Sequence, residues 1–231
     1  MQINVLASSS KGNASVISDG STTLLLDAGI PYTDLCRKSG YRDMHGCFIT
    51  HSHLDHSKAI KDLAKRGIDV FTGQGAIDSL KVSGHRYHTM KPLDWVKVGT
   101  FEIMAFDVIH DAVDPLGFFA RSNGTGESVL YFSDTAYVKY RFTGVTHLIC
   151  ECNHGEYELR QSVRNGIIVP ELAVRIVKNH LSVERLIEFL KCNDISRLKE
   201  VHLIHLSDNN SNEKRFKTAI QAVTGAEIYV H

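Results

Sequence analysis

One six-residue segment, His51-Ser52-His53-Leu54-Asp55-His56, constrains this chain more than any other feature of its sequence. It follows a short apolar run that predicts a buried strand, and it precedes a stretch with helical spacing of apolar residues. Extended side chains alternate in direction, so His51 and His53 share a side, and the turn into the helix directs Asp55 and His56 elsewhere. The segment therefore predicts two adjacent metal ions, and its imidazole and carboxylate groups favour Zn, Mn or Fe.

Three further residues of ligand type lie where apolar segments end. Each follows a predicted strand, at the place where a sheet opens into loops: His110, Asp134 and His205. A lone histidine in such a place is more often structural. Three strand-end residues beside a dense ligand segment instead favour a shared metal centre.

Length and charge suggest one domain without a strong overall field. The chain has 231 residues, 26 of them Lys or Arg and 26 Asp or Glu, and no repeat or linker divides it. We therefore predict a single domain over residues 1–231. Predicted strands form two blocks, each followed by helices, which favours an α+β protein with two sheets packed together and helices outside. The charge balance leaves open a local groove that attracts phosphate.

The cysteines and apolar segments bear on the compartment. Five scattered cysteines do not form the pattern of a disulfide framework, and we interpret them as small buried side chains. We see neither a signal-like segment nor an apolar run of membrane-spanning length. The sequence predicts a cytoplasmic protein that does not contact the membrane, and it does not define an oligomeric state.

The ligand-type residues, in their order along the chain, resemble the metallo-β-lactamase superfamily. The resemblance spans nearly the whole chain and implies an αββα four-layer sandwich with a dinuclear metal site. It implies that one ion binds His51, His53 and His110, and that the other binds Asp55, His56 and His205. Asp134 would bridge the two ions. Asp27 would orient the ligating histidines, although an Asp before Ala28-Gly29 also suits a plain turn.

Four other segments are similar to the YycJ-like branch of that superfamily: Leu6–Asn13, Glu151–His154, Asn179–Ser182 and His205–Asn210. Ser9, Gly155 and Asn179 depart from the pattern of the branch. Members are associated with 5′-to-3′ DNA exonuclease activity, so the resemblance implies a two-metal phosphodiester hydrolase with DNA as its partner. It also implies a set of substrate contacts: Ser10, Lys11, Asn13, Asn153, His154, His180, Ser182 and Asn209. For the loop at residues 10–13, a plain turn is the alternative.

Asp55 and His180 are the candidate catalytic residues. Cleavage of a phosphodiester leaves an alkoxide that needs a proton, and His180 is our candidate donor. The alternative is a histidine at a helix terminus, with Ser182 as the N-cap of the next helix. Both roles are compatible with the same position.

The same residues are compatible with other functions. The same ligands would serve a small-molecule hydrolase acting on a cyclic phosphodiester, a thioester or a lactone. A di-iron oxidoreductase of this fold usually has Glu where His53 stands, which disfavours that class. A binding protein with a degenerate site is disfavoured by the intact ligand set.

Overall fold

The computed structural model describes residues 1–40 and 43–231, which divide into two compact units. The first unit comprises Met1–Asp107 and Ala112–Tyr131, and the second comprises Val108–Asp111 and Phe132–His231. The single domain that the sequence predicts stays a prediction.

The first unit contains a six-stranded sheet whose strands lie in chain order. The strands are β1 (Gln2–Ala7), β2 (Ala14–Ser18), β3 (Thr23–Leu26), β4 (Gly46–Phe48), β5 (Val70–Thr72) and β6 (Tyr87–Thr89). β1, β2 and β3 pair antiparallel, and β3 to β6 pair parallel. The β2–β3 turn contains Gly20 at a φ of 94°, which glycine adopts readily. Parallel pairing places the carboxyl end of β3, before Asp27, beside the carboxyl end of β4, before the ligand segment.

Four antiparallel strands follow: β7 (Trp95–Val98), β8 (Phe101–Asp107), β9 (Leu116–Ser122) and β10 (Ser128–Phe132). β10 contains the unit boundary, which falls after Tyr131. Phe48 of β4 and Phe118 of β9 meet edge to face, with ring centroids 5.4 Å apart. The two groups of strands in the first unit therefore share an apolar core between their faces.

Short helices cover the outer face of the first sheet: α1 (Tyr32–Ser39), α2 (Leu54–Ser57), α3 (Ile60–Lys65) and α4 (Gln74–Leu80). Leu35 of α1 and Leu63 of α3 are buried in one cluster with Leu25 and Ile49 of the sheet region. The helical spacing after the ligand segment predicted a helix there, and α3 confirms it. The sequence did not identify β5 or β6, because strands of three residues are too short to show a period, nor the seven-residue helix α4 between them.

The second unit contains three parallel strands, β11 (His147–Glu151), β12 (Glu200–Ile204) and β13 (Glu227–Val230). Its helices are α5 (Glu156–Arg164), α6 (Pro170–Asn179), α7 (Val183–Cys192) and α8 (Glu213–Thr224). α7 buries Leu186, Phe189 and Leu190, and the ring of Phe189 contacts that of Phe132 edge to face. Glu151 pairs in register with Ile204, so Glu151 and His205 lie at one edge of these strands.

No helix within the described ranges is long and apolar enough to cross a membrane.

Candidate functional site

Between β4 and α3 the chain brings together four ligand-type side chains, which we call the first cluster: His51, His53, Asp55 and His56. Nε2 of His51 lies 3.0 Å from Nδ1 of His53, and the rings of His51 and His56 have centroids 4.3 Å apart. Asp55 Oδ2 lies 3.5 Å from His56 Nε2. α2 begins directly after His53 and turns His56 back toward the strand end. The nitrogen and oxygen atoms of the cluster therefore converge, as the ligands of a transition metal must.

Asp27, which follows β3, contacts this cluster through its buried carboxylate. Its carboxylate is fully buried and accepts hydrogen bonds from the Thr50 amide at 2.8 Å and the Tyr131 hydroxyl at 2.7 Å. Oδ2 also lies 2.7 Å from Nδ1 of His56. The backbone at Asp27 has a φ of 57°, a conformation that Asp tolerates better than most residues. A buried carboxylate held by several donors fixes the ring of His56, the arrangement that orients metal-ligating histidines.

The loop before β2 packs against the first cluster through its backbone. The Asn13 amide donates to the Asp55 carbonyl at 2.7 Å, and Gly29 donates to the Asn13 carbonyl at 2.8 Å. Asn13 is buried, and its Nδ2 lies 3.1 Å from His56 Nε2. Ser10 and Lys11, at the tip of the same loop, are exposed. Asn13 thus holds the loop against the cluster, and the two residues at the tip face solvent.

The second unit contains its own group of titratable side chains, which we call the second cluster: His110, Asp134, Glu151, His180 and His205. Nδ1 of His205 lies 3.1 Å from Asp134 Oδ1, and Nε2 of His110 lies 3.7 Å from Asp134 Oδ2. Ligand atoms of Asp134, Glu151, His180 and His205 all lie within 4.8 Å of one another, a spacing that can hold a metal ion. Burial lowers the pKa of His110, which keeps its imidazole neutral as metal ligation requires.

Two residues of the second cluster have unusual backbone conformations. Asp134 has a φ of 28° and His205 a φ of 55°, and each directly follows the end region of a strand. Positive φ at a residue with a Cβ is strained and is held only when its surroundings demand it. Ordinary strand ends do not need a positive φ. The strained backbone here therefore fits a need to orient the side chains of Asp134 and His205.

Four of the five predicted histidine ligands share one arrangement of their ring nitrogens, and His53, whose Nδ1 lies 3.0 Å from His51 Nε2, differs. Nδ1 lies near an oxygen in four of them: Thr50 Oγ1 at 2.9 Å for His51, Asp27 Oδ2 at 2.7 Å for His56, the Asn179 carbonyl at 3.2 Å for His110, and Glu151 Oε1 at 2.9 Å for His205. An Nδ1–H that donates to oxygen leaves Nε2 as the nitrogen with a lone pair. The residues therefore fit divalent transition metals by the chemistry of their donors.

Glu151 is the main site residue that the sequence-based assignment omitted. It is fully buried, and its carboxylate accepts hydrogen bonds from the backbone amides of Thr135 and Leu181, both at 3.0 Å. Oε1 also lies 2.6 Å from Nδ1 of His180. Burial alone would raise the pKa of Glu151, but the charge of His180 and the hydrogen bonds of His180 and His205 lower it to about 2. Glu151 ends β11, so the strand-end pattern that marked Asp134 and His205 would have found it.

His180 caps the end of α6 and carries a perturbed pKa. Burial by itself would lower the pKa of His180, but the adjacent Glu151 carboxylate outweighs burial and raises it to about 9. The ring is therefore a cation at neutral pH. Its Nδ1–H is directed to Glu151, which leaves the proton on Nε2 as the transferable one.

The remaining predicted substrate residues are mostly held inside the second unit. Asn153 donates from Nδ2 to the His205 carbonyl at 3.0 Å, and Ser182 accepts from the Arg185 amide at 3.2 Å as the N-cap of α7. His154 is buried, and burial lowers its pKa to about 4. Asn209 is exposed. These residues fix the backbone around His180 and His205, and Asn209 is the one among them that faces solvent.

Residues 22–203 match the model of the beta-lactamase superfamily domain, so the chain belongs to that superfamily. It is 29% identical to the exodeoxyribonuclease WalJ of Streptococcus pneumoniae, over 98% of this chain and 90% of that protein. It is 28% identical to the exodeoxyribonuclease YycJ of Bacillus anthracis, over 92% and 85% of the two chains. Among solved structures, the metallo-β-lactamase fold protein YhfI of Bacillus subtilis aligns over 99% of this chain and 95% of its own, with a TM-score of 0.74 at 16% identity.

These likenesses confirm several predictions from the sequence. The superfamily, the YycJ-like branch and the α+β metallo-β-lactamase fold are as predicted. A metal-dependent hydrolase is supported by the family and by His and Asp groups suited to divalent metals. The roles of individual site residues, the number of ions and their identity stay predictions.

Proposed function

We propose that this chain is a metal-dependent DNA exonuclease that digests from the 5′ end. The observation that carries the proposal is near full-length similarity to proteins named exodeoxyribonuclease, combined with buried His and Asp clusters of matching chemistry. Sequence identity to these proteins is below one third, so the DNA substrate and the 5′-to-3′ polarity are proposals. The net charge of +0 means that local charges, and not an overall field, must attract the substrate.

We also propose two divalent ions, Zn or Mn, bound in the manner that the resemblance implies: His51, His53 and His110 for one, Asp55, His56 and His205 for the other, and Asp134 shared. The mixed imidazole and carboxylate donors support these metals over Mg, which prefers oxygen alone. Two such ions, when bound, supply Lewis-acid stabilisation of phosphate oxygens and lower the pKa of a water to about 7.

The protein's own side chains have distinct tasks in this proposal. Asp27 and Thr50 hold the rings of His56 and His51, so that each presents Nε2. Glu151 holds His180 as a cation whose Nε2–H protonates the departing oxygen. Lys11 and Ser10, exposed at the tip of the first loop, contact substrate phosphate.

We propose that residues 1–231 act as one functional domain in the cytoplasm. The family match extends from residue 22 to residue 203 and so includes sequence of both compact units. Cys47, Cys150 and Cys152 are free and buried, as is common in proteins of a reducing compartment.

The test is digestion of single- and double-stranded DNA labelled at the 5′ or the 3′ end, with Zn, Mn, Fe or Mg added to metal-free protein. A 5′-to-3′ exonuclease releases the 5′ label first, as a mononucleotide or short product, and retains the 3′ label on long fragments. Early release of the 3′ label refutes the polarity. Hydrolysis of a cyclic phosphodiester, thioester or lactone without digestion of DNA refutes the exonuclease proposal in favour of a small-molecule hydrolase.

A further inference from the structure

A surface cleft in the first unit carries positive charge that its described lining does not balance. The cleft has a volume of about 400 Å³ and is lined by α3, the end of α4 and the segment before β6. Five of the lining residues are basic and none is acidic: Lys61, Lys65, Lys81, His85 and Arg86. We call it the lysine cleft. Because the whole chain has a net charge of +0, this excess is local.

Two of the lysines lie on one face of α3. Lys61 and Lys65 are four residues apart and exposed, and like charges at that spacing repel and destabilise a helix. The acidic residue of this helix does not relieve them, since Asp62 pairs with Arg66 at 3.4 Å. The two lysines therefore add positive charge to the cleft that the acidic residue of their own helix does not offset.

The third lysine is in a strained conformation. Lys81 is the C-cap of α4 and has a φ of 50° in the left-handed region, where glycine is the usual residue. A lysine there costs stability relative to glycine. Arg86 is held by both carboxylate oxygens of Asp69 at 3.2 Å, so the three lysines supply the unbalanced charge.

We propose that the lysine cleft binds the phosphate backbone of a nucleic-acid strand, as a contact separate from the ligand clusters. The identity of the strand as substrate rests on the proposed function. Lysines contact phosphates without regard to base sequence, which suits a nuclease that must advance along a strand. Tyr87, half-buried against the core, contributes to the same lining. The cleft lies beside the start of β6, whereas the first cluster follows the carboxyl end of β4, so parallel pairing places the two at opposite edges of the sheet.

The experiment measures binding of the full chain to a fluorescein-labelled single-stranded oligonucleotide by anisotropy, in chelator and over a range of salt. The variant Lys61→Ala/Lys65→Ala/Lys81→Gly removes the three charges, and glycine adopts the backbone of residue 81 without strain. The matched control, Lys191→Ala/Lys214→Ala/Lys217→Ala, removes three exposed lysines of α7 and α8. We expect the slope of log Kd against log salt to fall by roughly 2 in the cleft variant, since each phosphate contact contributes about 0.7.

In this proposal the salt dependence of binding comes from the charge of the side chains and not from their shape. We therefore expect Lys61→Arg/Lys65→Arg to bind with the slope of the unmodified protein. Equal slopes in the cleft variant and its control would overturn the proposal. So would displacement of the oligonucleotide by inorganic phosphate beyond that by chloride of equal ionic strength, because it would indicate a site for the free anion.

Digestion of the same strand with added Mn separates this proposal from the exonuclease activity. Binding through the cleft without digestion refutes the activity and leaves the cleft contact standing. If the unmodified protein digests the strand and the salt slope of the cleft variant equals that of its control, the cleft contact alone is refuted. Failure of the unmodified protein both to bind the oligonucleotide and to digest it with added Mn refutes both.

Discussion

Glu151 serves two imidazoles that need opposite protonation. In the proposed function, His205 must remain neutral to offer Nε2 to a metal, and His180 must be a cation to donate a proton. Oε1 of Glu151 lies 2.9 Å from Nδ1 of the first and 2.6 Å from Nδ1 of the second. Its negative charge favours the protonated form of His180, the more exposed ring. One buried carboxylate thus contacts both the proposed metal ligand, His205, and the proposed proton donor, His180.

The first residue-scale prediction concerns Glu151→Gln. The amide keeps the size of the side chain but removes the charge that raises the pKa of His180 to about 9, so burial then lowers that pKa. A general acid is present below its pKa and lost above it. We therefore expect the basic limb of the pH profile of kcat/KM to move to lower pH, while Glu156→Gln, at an exposed position, leaves it in place. An unchanged basic limb would contradict the role of Glu151.

The second residue-scale prediction concerns His180→Ala. If His180 protonates the departing oxygen, the variant keeps its metals and loses about 10²- to 10⁴-fold in rate on DNA. The loss should shrink on a nitrophenyl phosphodiester, because nitrophenolate departs without a proton. Metal content and both rates are measured on one preparation. Equal losses on the two substrates with metals retained would rule out the acid role, and loss of metal would indicate a ligand instead.

Single residues were predictable from sequence where they share a segment or follow a strand. The four residues of the first cluster are adjacent in the chain, so their proximity needed no fold. Glu151 and Thr50 contribute through hydrogen bonds made across distant segments, 29 residues apart for Glu151 and His180. The place of Glu151 at the end of β11 is visible in the sequence, but its hydrogen-bond partners are identified only when the chain is folded.

At the scale of elements, the contact between α2 and the loop that begins at Asp27 shapes the first cluster. The backbone of Gly29 passes so close to α2 that a Cβ on Gly29 would lie 1.6 Å from the carbonyl oxygen of Asp55. Ala28 and Asn13 also bond to the backbone of α2, through the carbonyls of His56 and Asp55. The position of Asp55 and His56 therefore depends on a glycine two residues after Asp27.

The element-scale prediction is that Gly29→Ala displaces α2. Because the methyl group would overlap backbone atoms, α2 or the loop must move, and the first cluster loses its shape. We expect weaker metal binding and a lower free energy of unfolding, measured by metal content after dialysis and by urea denaturation. Gly124→Ala is the control, since its Cβ would meet nothing nearer than 3.5 Å. Metal content equal to that of the control would contradict the prediction.

Elements were predictable where their pattern is long. The strand β8 and the helices α6, α7 and α8 have enough residues to show a period, and Ser182 marks the start of α7 by its capping bond. β5 and β6 have three residues each and form only because parallel neighbours supply their hydrogen bonds. The sheet stabilises these two strands, so their own residues show no pattern from which the strands could be predicted.

At the scale of the whole molecule, the predicted metal ligands are dispersed from residue 51 to residue 205. An unfolded chain cannot hold such residues in one geometry, so the folded state binds metal far more tightly than the unfolded state. Binding to the folded state alone stabilises it by an amount that grows with the logarithm of the free metal concentration. The dependence of the free energy of unfolding on metal concentration should therefore show how many ions bind.

The last prediction is a metal titration of folding stability. Each bound ion should raise the free energy of unfolding by about 1.4 kcal/mol per tenfold rise in free Zn or Mn above its Kd, so two ions give about twice that slope. The measurement is urea denaturation in metal buffers, beginning from chelated protein. Asp134→Ala should lose part or all of the slope, because removing a shared carboxylate leaves two cations to repel each other. Asp208→Ala, an exposed control, should keep it. A slope of one ion in the unmodified protein would refute the two-ion assignment, and a full slope in Asp134→Ala would refute the shared ligand.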